Sequence, residues 1–225
     1  MRTAQAEDYV NAILAMADGG NHDAQCSIGI MYLNGISVDK DEKKGIEWLK
    51  TAAEHGSAEA ASKLGIAHYC GIGTPVDYAE ALKWFRIASD IGHGPSDVYL
   101  VWMYARGQGT SRNAAEALNH YFRAISCADA GDAATQGHLG RVYMMDDNVF
   151  GKDSVKAAHY LRLAALQDDA DSQYGLGLMY ADGFGVERSI PKARMWLGRS
   201  LANGKTEASE ALEKLSERKV PADVF

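Results

Sequence analysis

Leu176-Gly177-Leu178-Met179-Tyr180-Ala181-Asp182-Gly183-Phe184-Gly185 is one of five copies of a single phrase: an apolar residue, Gly, two variable residues, Tyr, two more, then Gly-x-Gly. The other copies are IGIMYLNG from Ile28, LGIAHYCGIG from Leu64, LVWMYARGQG from Leu100 and LGRVYMMDDN from Leu139. Tyr32, His68, Tyr104, Tyr143 and Tyr180 hold the aromatic place and stand 36, 36, 39 and 37 residues apart. A period of that length marks a solenoid of small stacked units, each burying its apolar face on its neighbours, rather than a domain with one central core. Such an array points to a binding scaffold.

A second set of residues falls into register behind each phrase. Asp41, Asp77, Asn113, Asp153 and Ser189 all have side chains that accept hydrogen bonds from the free N–H groups of a helix's first turn, so each opens a second helix. In those helices a small residue precedes an aromatic by three or four places, as in Gly45 and Trp48, Ala81 and Trp84, Ala117 and Tyr121, Ala157 and Tyr160, and Ala193 and Trp196. That spacing puts both on one face. Gly56, Gly92, Gly131 and Gly204 close these helices, and Asp168-Asp169 stands where the fourth glycine is missing. The unit is therefore helix A, a Gly-rich loop, helix B and a short turn. On helix A the small residues Ala24, Ala60, Ser96, Thr135 and Ser172 share a face with the phrase Gly and Tyr, where they let helices approach and the aromatics fill the gaps.

These signals divide the chain into an N-terminal capping helix or half repeat over 1–21, repeats over 22–57, 58–93, 94–132, 133–169 and 170–205, and a C-terminal capping helix and tail over 206–225. Ala6 to Asp18, with Tyr9, Ile13, Leu14 and Met16, reads as the helix B half of an incomplete repeat. Thr206 to Arg218 carries Ala208, Ala211, Leu212 and Leu215 on one face. Both read as the caps that a solenoid needs over its ends.

Composition bounds the function. At 225 residues, 47% hydrophobic and 24% charged, the chain is an ordinary globular composition. A net charge of −7 is the wrong sign for a phosphate-backbone binder, so no nucleic acid is expected, and an acidic surface mildly favours a basic partner. No apolar run is long enough to span a bilayer, so no membrane insertion is expected. Met1 to Asp8 lacks the apolar stretch of a secretory signal, and Cys26, Cys70 and Cys127 are odd in number without CxxC spacing. A cytoplasmic location is expected, or a periplasmic or secreted one where a signal had been removed.

The order [Leu/Ile]-Gly-x-x-Tyr-x-x-Gly-x-Gly, a cap, Ala-x-x-Trp and then Ala-Ala-x-x-Gly (Ala52-Ala53-Glu54-His55-Gly56) resembles the Sel-1-like repeat, a longer relative of the tetratricopeptide repeat. The resemblance runs from about residue 22 to 204. It implies an all-α, right-handed α/α solenoid of about five helix-turn-helix repeats with capping helices at both ends. It also implies a bacterial interaction module, as similar proteins serve in signalling, envelope processes, host interaction or secretion. Three departures stand out: Val101 replaces the phrase Gly in the third copy, His68 replaces Tyr in the second, and the fourth exchanges its loop glycines for Asp146-Asp147-Asn148. That loop is expected to be longer, mobile or differently shaped.

A search for chemistry leaves little. Gly71-Ile72-Gly73 and Gly183-Phe184-Gly185 follow helices rather than strands and lack a Lys-Ser/Thr sequel, which argues against a phosphate loop. The seven histidines show neither HExxH nor His/Cys ligand spacing, and no nucleophile elbow is present, so no metal, cofactor or catalysis is expected. An enzyme with an unrecognised site would centre on His120, His138 and His159.

What remains is a surface. The resemblance places helix A along the concave side. Its outward stripe includes Cys26, Ile30, Leu33 and Val98, and with them Tyr69, Trp102, Arg106, Arg141, Met144, Met145 and Tyr174, residue types that dominate or adapt interfaces. The leading expectation is a non-catalytic adaptor holding a protein or peptide partner, such as a partner helix, in that groove. An immunity or inhibitor protein capping a toxin or enzyme is the alternative, and a purely structural oligomer a further one.

Overall fold

The computed structural model describes residues 4–145, 149 and 151–217, and among these are twelve α-helices and no strand. They are α1 (Ala4–Asp18), α2 (His22–Asn34), α3 (Glu42–Glu54), α4 (Ala58–Cys70), α5 (Tyr78–Asp90), α6 (Gly94–Arg106), α7 (Ala114–Asp129), α8 (Ala133–Met144), α9 (Ser154–Ala165), α10 (Ala170–Asp182), α11 (Ile190–Ala202) and α12 (Glu207–Glu217). The even helices α2 to α10 carry the phrase and are the A helices, and α3 to α11 are the B helices. This is the all-α repeat architecture that the period predicts. The chain divides within α7 into two compact units, Met1–Tyr121 and Phe122–Phe225. In the first, each helix from α1 to α6 packs on the next. In the second, α8 to α12 do the same, and α10 also touches α8 and α12.

The phrase glycine is where A and B helices meet. A methyl group on Gly29 would lie 2.9 Å from Leu49 Cγ, on Gly65 2.7 Å from the Phe85 ring, on Gly140 2.6 Å from Leu161 Cγ and on Gly177 2.8 Å from Leu197 Cγ. Each intruding residue directly follows the helix B aromatic, and all four are fully buried. A missing side chain on one helix thus receives a knob from the other. The third pair breaks the rule, with Val101 in the glycine place and Tyr121 in the knob place.

The loop between A and B is closed by its cap residue. The backbone N–H of Asp41, Asp77, Asn113, Asp153 and Ser189 donates to the carbonyl of Tyr32, His68, Tyr104, Tyr143 and Tyr180 respectively. The same residues' side chains accept from first-turn N–H groups of helix B, Asp41 from Lys44 at 3.0 Å and Asp153 from Lys156 at 3.0 Å. The loop glycines have an equally local role. Gly185 has φ 67 and lies so close to the Ser154 carbonyl that a methyl group would collide with it; Gly109 meets the Tyr78 carbonyl in the same way. Ser154 and Tyr78 open the B helix of the preceding pair, so the second glycine of Gly-x-Gly is a contact between repeats. The fourth pair has neither glycine: α8 ends on Met145 in extended conformation, and Asp146 to Asn148 lie outside the described residues. Its helix B ends on Asp168 at φ 62, where the others use glycine.

A polar seam links successive pairs. Gln25, Gln136 and Gln173, all buried, each donate Nε2–H to a carbonyl eight residues back, on Ala17 at 3.0 Å, Ala128 at 2.7 Å and Ala165 at 3.0 Å. In the second pair Ala61 stands at this place, and the third pair differs again. Asp97 occupies the glutamine place, and its Oδ1 accepts from the Ser89 hydroxyl at 2.7 Å and from His120 Nδ1 at 2.7 Å. Asp97 is 1% exposed and His120 6%. The imidazole fills the place of a Trp and stacks on Tyr104 at 5.6 Å.

At the N-terminal end, α1 buries Val10 and Ala17 against α2, with Ile13 and Leu14 half-buried. Tyr9 and Met16, the other two apolar residues read in this helix, are 62% and 53% exposed. With α2 as the neighbour it packs on, the contact stripe of α1 is narrower than its apolar pattern. At the other end α12 begins at Glu207 rather than Thr206 and seats Ala208 and Leu215, while the expected helix end at Arg218 and the tail beyond it lie outside the described residues.

Two stability outcomes follow from these contacts. Replacing His120 by Ala takes one donor from the buried Asp97 carboxylate, leaving the Ser89 hydroxyl, and the urea midpoint falls by the equivalent of about 3 kcal/mol. Gly185→Ala, strained in φ and in collision, lowers the melting temperature far more than Gly56→Ala, whose added methyl meets nothing within 4 Å.

Candidate protein-binding face

The outward residues of the A helices fall into two sets, one in each unit. In the first unit, Trp102 is half-buried near the end of α6, and one turn later the Arg106 guanidinium lies 4.2 Å above its indole. The i,i+4 spacing produces this stack, which covers the ring and holds the charge at the surface. Tyr69 is more deeply engaged. Its hydroxyl donates to Gln108 Oε1 at 3.1 Å, and its ring stands edge-on to Tyr78 at 5.2 Å and Tyr99 at 6.2 Å. Tyr99 in turn stacks on Phe85 at 4.5 Å, so Tyr69 ends an aromatic chain running through α4, α5 and α6. Much of the remaining stripe turns inward: Cys26 and Val98 are buried, and Ile30 and Leu33 pack on the core around Leu49 and Trp84. Burial, with the charge of Glu59 beside it, pushes the Cys26 thiol up to about 11.

In the second unit, Arg141 is half-buried, and its Nη1 is enclosed with no hydrogen-bond partner, as is the Ser172 hydroxyl. Both face the space left by Gly137, where a methyl group would lie 2.9 Å from Ser172 Oγ and 3.4 Å from Arg141 Nη1. Met144 is half-buried and Met145 is 47% exposed. Tyr174, also half-buried, carries the Lys205 ammonium 5.9 Å from its ring centre. Lys205 pairs with Asp171 at 2.8 Å and Glu207 at 3.2 Å. The bond to Lys205 holds the Asp171 carboxyl below the usual carboxylate range, and the same contacts raise Lys205.

Beside Tyr174 lies a cavity of about 140 Å³ between α10 and α12. Leu178, Ala211 and Leu215 form its apolar side, with Asp182, Glu207 and Glu210 around it. Its origin is a matter of register. Ala208 lies 36 residues after Ser172 and is fully buried, so α12 occupies the place of an A helix and the cavity separates two successive A-helix faces. Repeating the period beyond residue 205 would have revealed this; the pattern of apolar residues alone reads α12 only as a cap.

The histidines of the enzymatic alternative have other surroundings. His120 is bound to Asp97 in the interior, His138 is half-buried, and the exposed His159 stands edge-on to Tyr160 at 5.2 Å. Among the described residues no three His, Cys, Asp or Glu side chains gather as a metal site, and no helix is long and apolar enough to cross a membrane.

A sequence model of the Sel1 repeat matches residues 22–57, 58–93, 102–129, 133–169 and 170–205, most of the chain. The protein belongs to the Sel1 repeat family. Among solved structures it is similar over 97% of its length to a Sel1 repeat protein from Oxalobacter formigenes, with 29% identity, a TM-score of 0.56 and 89% of that chain covered. A protective antigen of uropathogenic Escherichia coli strains, displaying an SLR fold, matches over 93% of this chain and 45% of its own, with 28% identity and a TM-score of 0.51. Among curated proteins, the chain is 34% identical over 97 residues to DAP3-binding cell death enhancer 1 of Rattus norvegicus and 32% identical to that of Mus musculus. That match covers 41% of this chain and 18% of the relatives' length. Sel1 repeats are generally protein-interaction scaffolds.

The enclosed guanidinium sets an expectation of its own. Because Arg141 Nη1 lies buried without a partner, Arg141→Met leaves the unfolding free energy unchanged within about 0.5 kcal/mol or raises it, measured by urea titration. A fall of several kcal/mol would show that Arg141 is a structural residue.

Proposed function

We propose that this chain is a non-catalytic adaptor that holds a peptide or helix of a protein partner, basic in character, on the outward faces of its A helices. The observation that carries the reading is the Trp102–Arg106 stack. The core places of α6 are filled by Leu100, Val101, Met103 and Tyr104, all buried, so Trp102 is not needed to complete the interior. It stands half-buried, with the guanidinium already ordered over it at 4.2 Å. A large ring with little rotamer freedom left is an anchor that loses little entropy on binding. The Met144 and Met145 pair supplies the adaptable apolar surface in the second unit. The name of the rodent relatives, a binding protein for DAP3, supports a protein as the kind of partner. The net charge of −7 supports the basic character.

The test is affinity capture from the native cell with the tagged chain, repeated with Trp102→Ala and Arg106→Ala variants that retain wild-type helicity. Loss of a hot-spot residue costs at least about 1 to 2 kcal/mol, so captured partner falls roughly tenfold or more with Trp102→Ala. Unchanged retention by both variants would remove this face from the function.

A further inference from the structure

We infer that the cavity between α10 and α12 is a socket for a single lysine or arginine side chain of the protein partner, a reading that rests on the adaptor function and assigns part of its specificity. Its size is the first argument. At about 140 Å³ it has room for about four or five water volumes, well below the roughly 300 Å³ at which small-molecule sites begin. One long side chain fits; a cofactor or a whole helix does not.

Its chemistry is the second. The inner part is apolar, formed by Leu178, Ala211, Leu215 and the Tyr174 ring. Its remaining lining includes Asp182, Glu207 and Glu210 against one cation, Lys214. A lysine or arginine combines a stem that packs on the apolar part with a head that reaches the carboxylates. A purely apolar side chain would fill the same volume but withdraw water from the carboxylates without replacing their hydrogen bonds.

The structure contains its own example of the contact. The Lys205 ammonium lies over the face of Tyr174, between Asp171 at 2.8 Å and Glu207 at 3.2 Å. Lys214 is held by Glu210 at 2.6 Å. Two of the carboxylates lining the socket, Glu207 and Glu210, thus bind ammonium groups in the unbound chain, and the incoming head competes for carboxylates already oriented toward a cation. Glu207 and Glu210 are each held below the usual carboxylate range, Glu207 by a backbone hydrogen bond and Lys205, Glu210 by Lys214, so both are ionised at neutral pH.

The full chain, titrated at millimolar concentration with Nα-acetyl-arginine amide, Nα-acetyl-lysine amide and Nα-acetyl-norleucine amide, distinguishes the occupants by amide chemical shifts. The two basic amides give saturable shifts on α10 and α12, and norleucine amide binds at least tenfold more weakly. Leu178→Trp, which fills the socket, removes the shifts. The double variant Glu207→Gln, Glu210→Gln weakens them at least fivefold without filling it. Equal binding of norleucine amide would make the socket a simple apolar contact and overturn the inference. So would the absence of saturable shifts on α10 and α12 with both basic amides, or unchanged binding to the double variant. Because Trp102 lies in the other unit, capture that still depends on Trp102 while the basic amides fail to bind sinks the socket alone. Basic amides that bind while no partner is captured sink the adaptor reading alone.

Discussion

The architecture depends on a side chain that is absent. Where Gly29, Gly65, Gly140 and Gly177 present bare backbone, Leu49, Phe85, Leu161 and Leu197 enter from the B helix to distances that no Cβ would permit. This close fit fixes both the separation and the axial register of each pair. Once the pair is fixed, the stacked aromatics follow, as in Tyr143 and Tyr160 with rings 6.1 Å apart and nearly parallel. The loop then has one short path from A to B, closed by a cap N–H and tightened by its glycines. The outward A-helix face is what these inward requirements leave over, which is why recognition is expected there.

The legible and the illegible parts separate by range. Features decided within about one helical turn were readable: the caps at Asp41 and Asp153 and the closing pair Asp168-Asp169. Asp168 keeps φ 62 although it is not glycine, as its place in the repeat requires. Features decided by a neighbouring element were not readable. Tyr9 and Met16 belong to an apolar pattern wider than the single contact α1 makes with α2. Ile30 and Leu33, on the stripe read as outward, are drawn into the core around Leu49.

The candidate face divides in the same way. Residue type alone singled out Tyr69, Trp102, Arg106, Arg141, Met144, Met145 and Tyr174, but type does not say which of them is already occupied. Tyr69 is engaged by Gln108 and two other tyrosines, so it shapes the face more than it meets a partner. The Lys205–Asp171 pair was hidden because its members are separated by nearly a whole repeat. No pattern shorter than the period relates them.

The buried group at Asp97 has a consequence for how such an array is assembled. Ser89 lies on the B helix of the second pair, and Asp97 and His120 lie on the two helices of the third. At Gln25, Gln136 and Gln173 the corresponding link runs from a glutamine to a backbone carbonyl, which every residue supplies, so those junctions are indifferent to the identity of the donor repeat. The junction at Asp97 is not. It takes a hydroxyl from the repeat before it, so duplication or exchange of a single repeat at this point would remove one donor from a buried carboxylate. In an otherwise interchangeable series, this junction fixes the neighbours and their order.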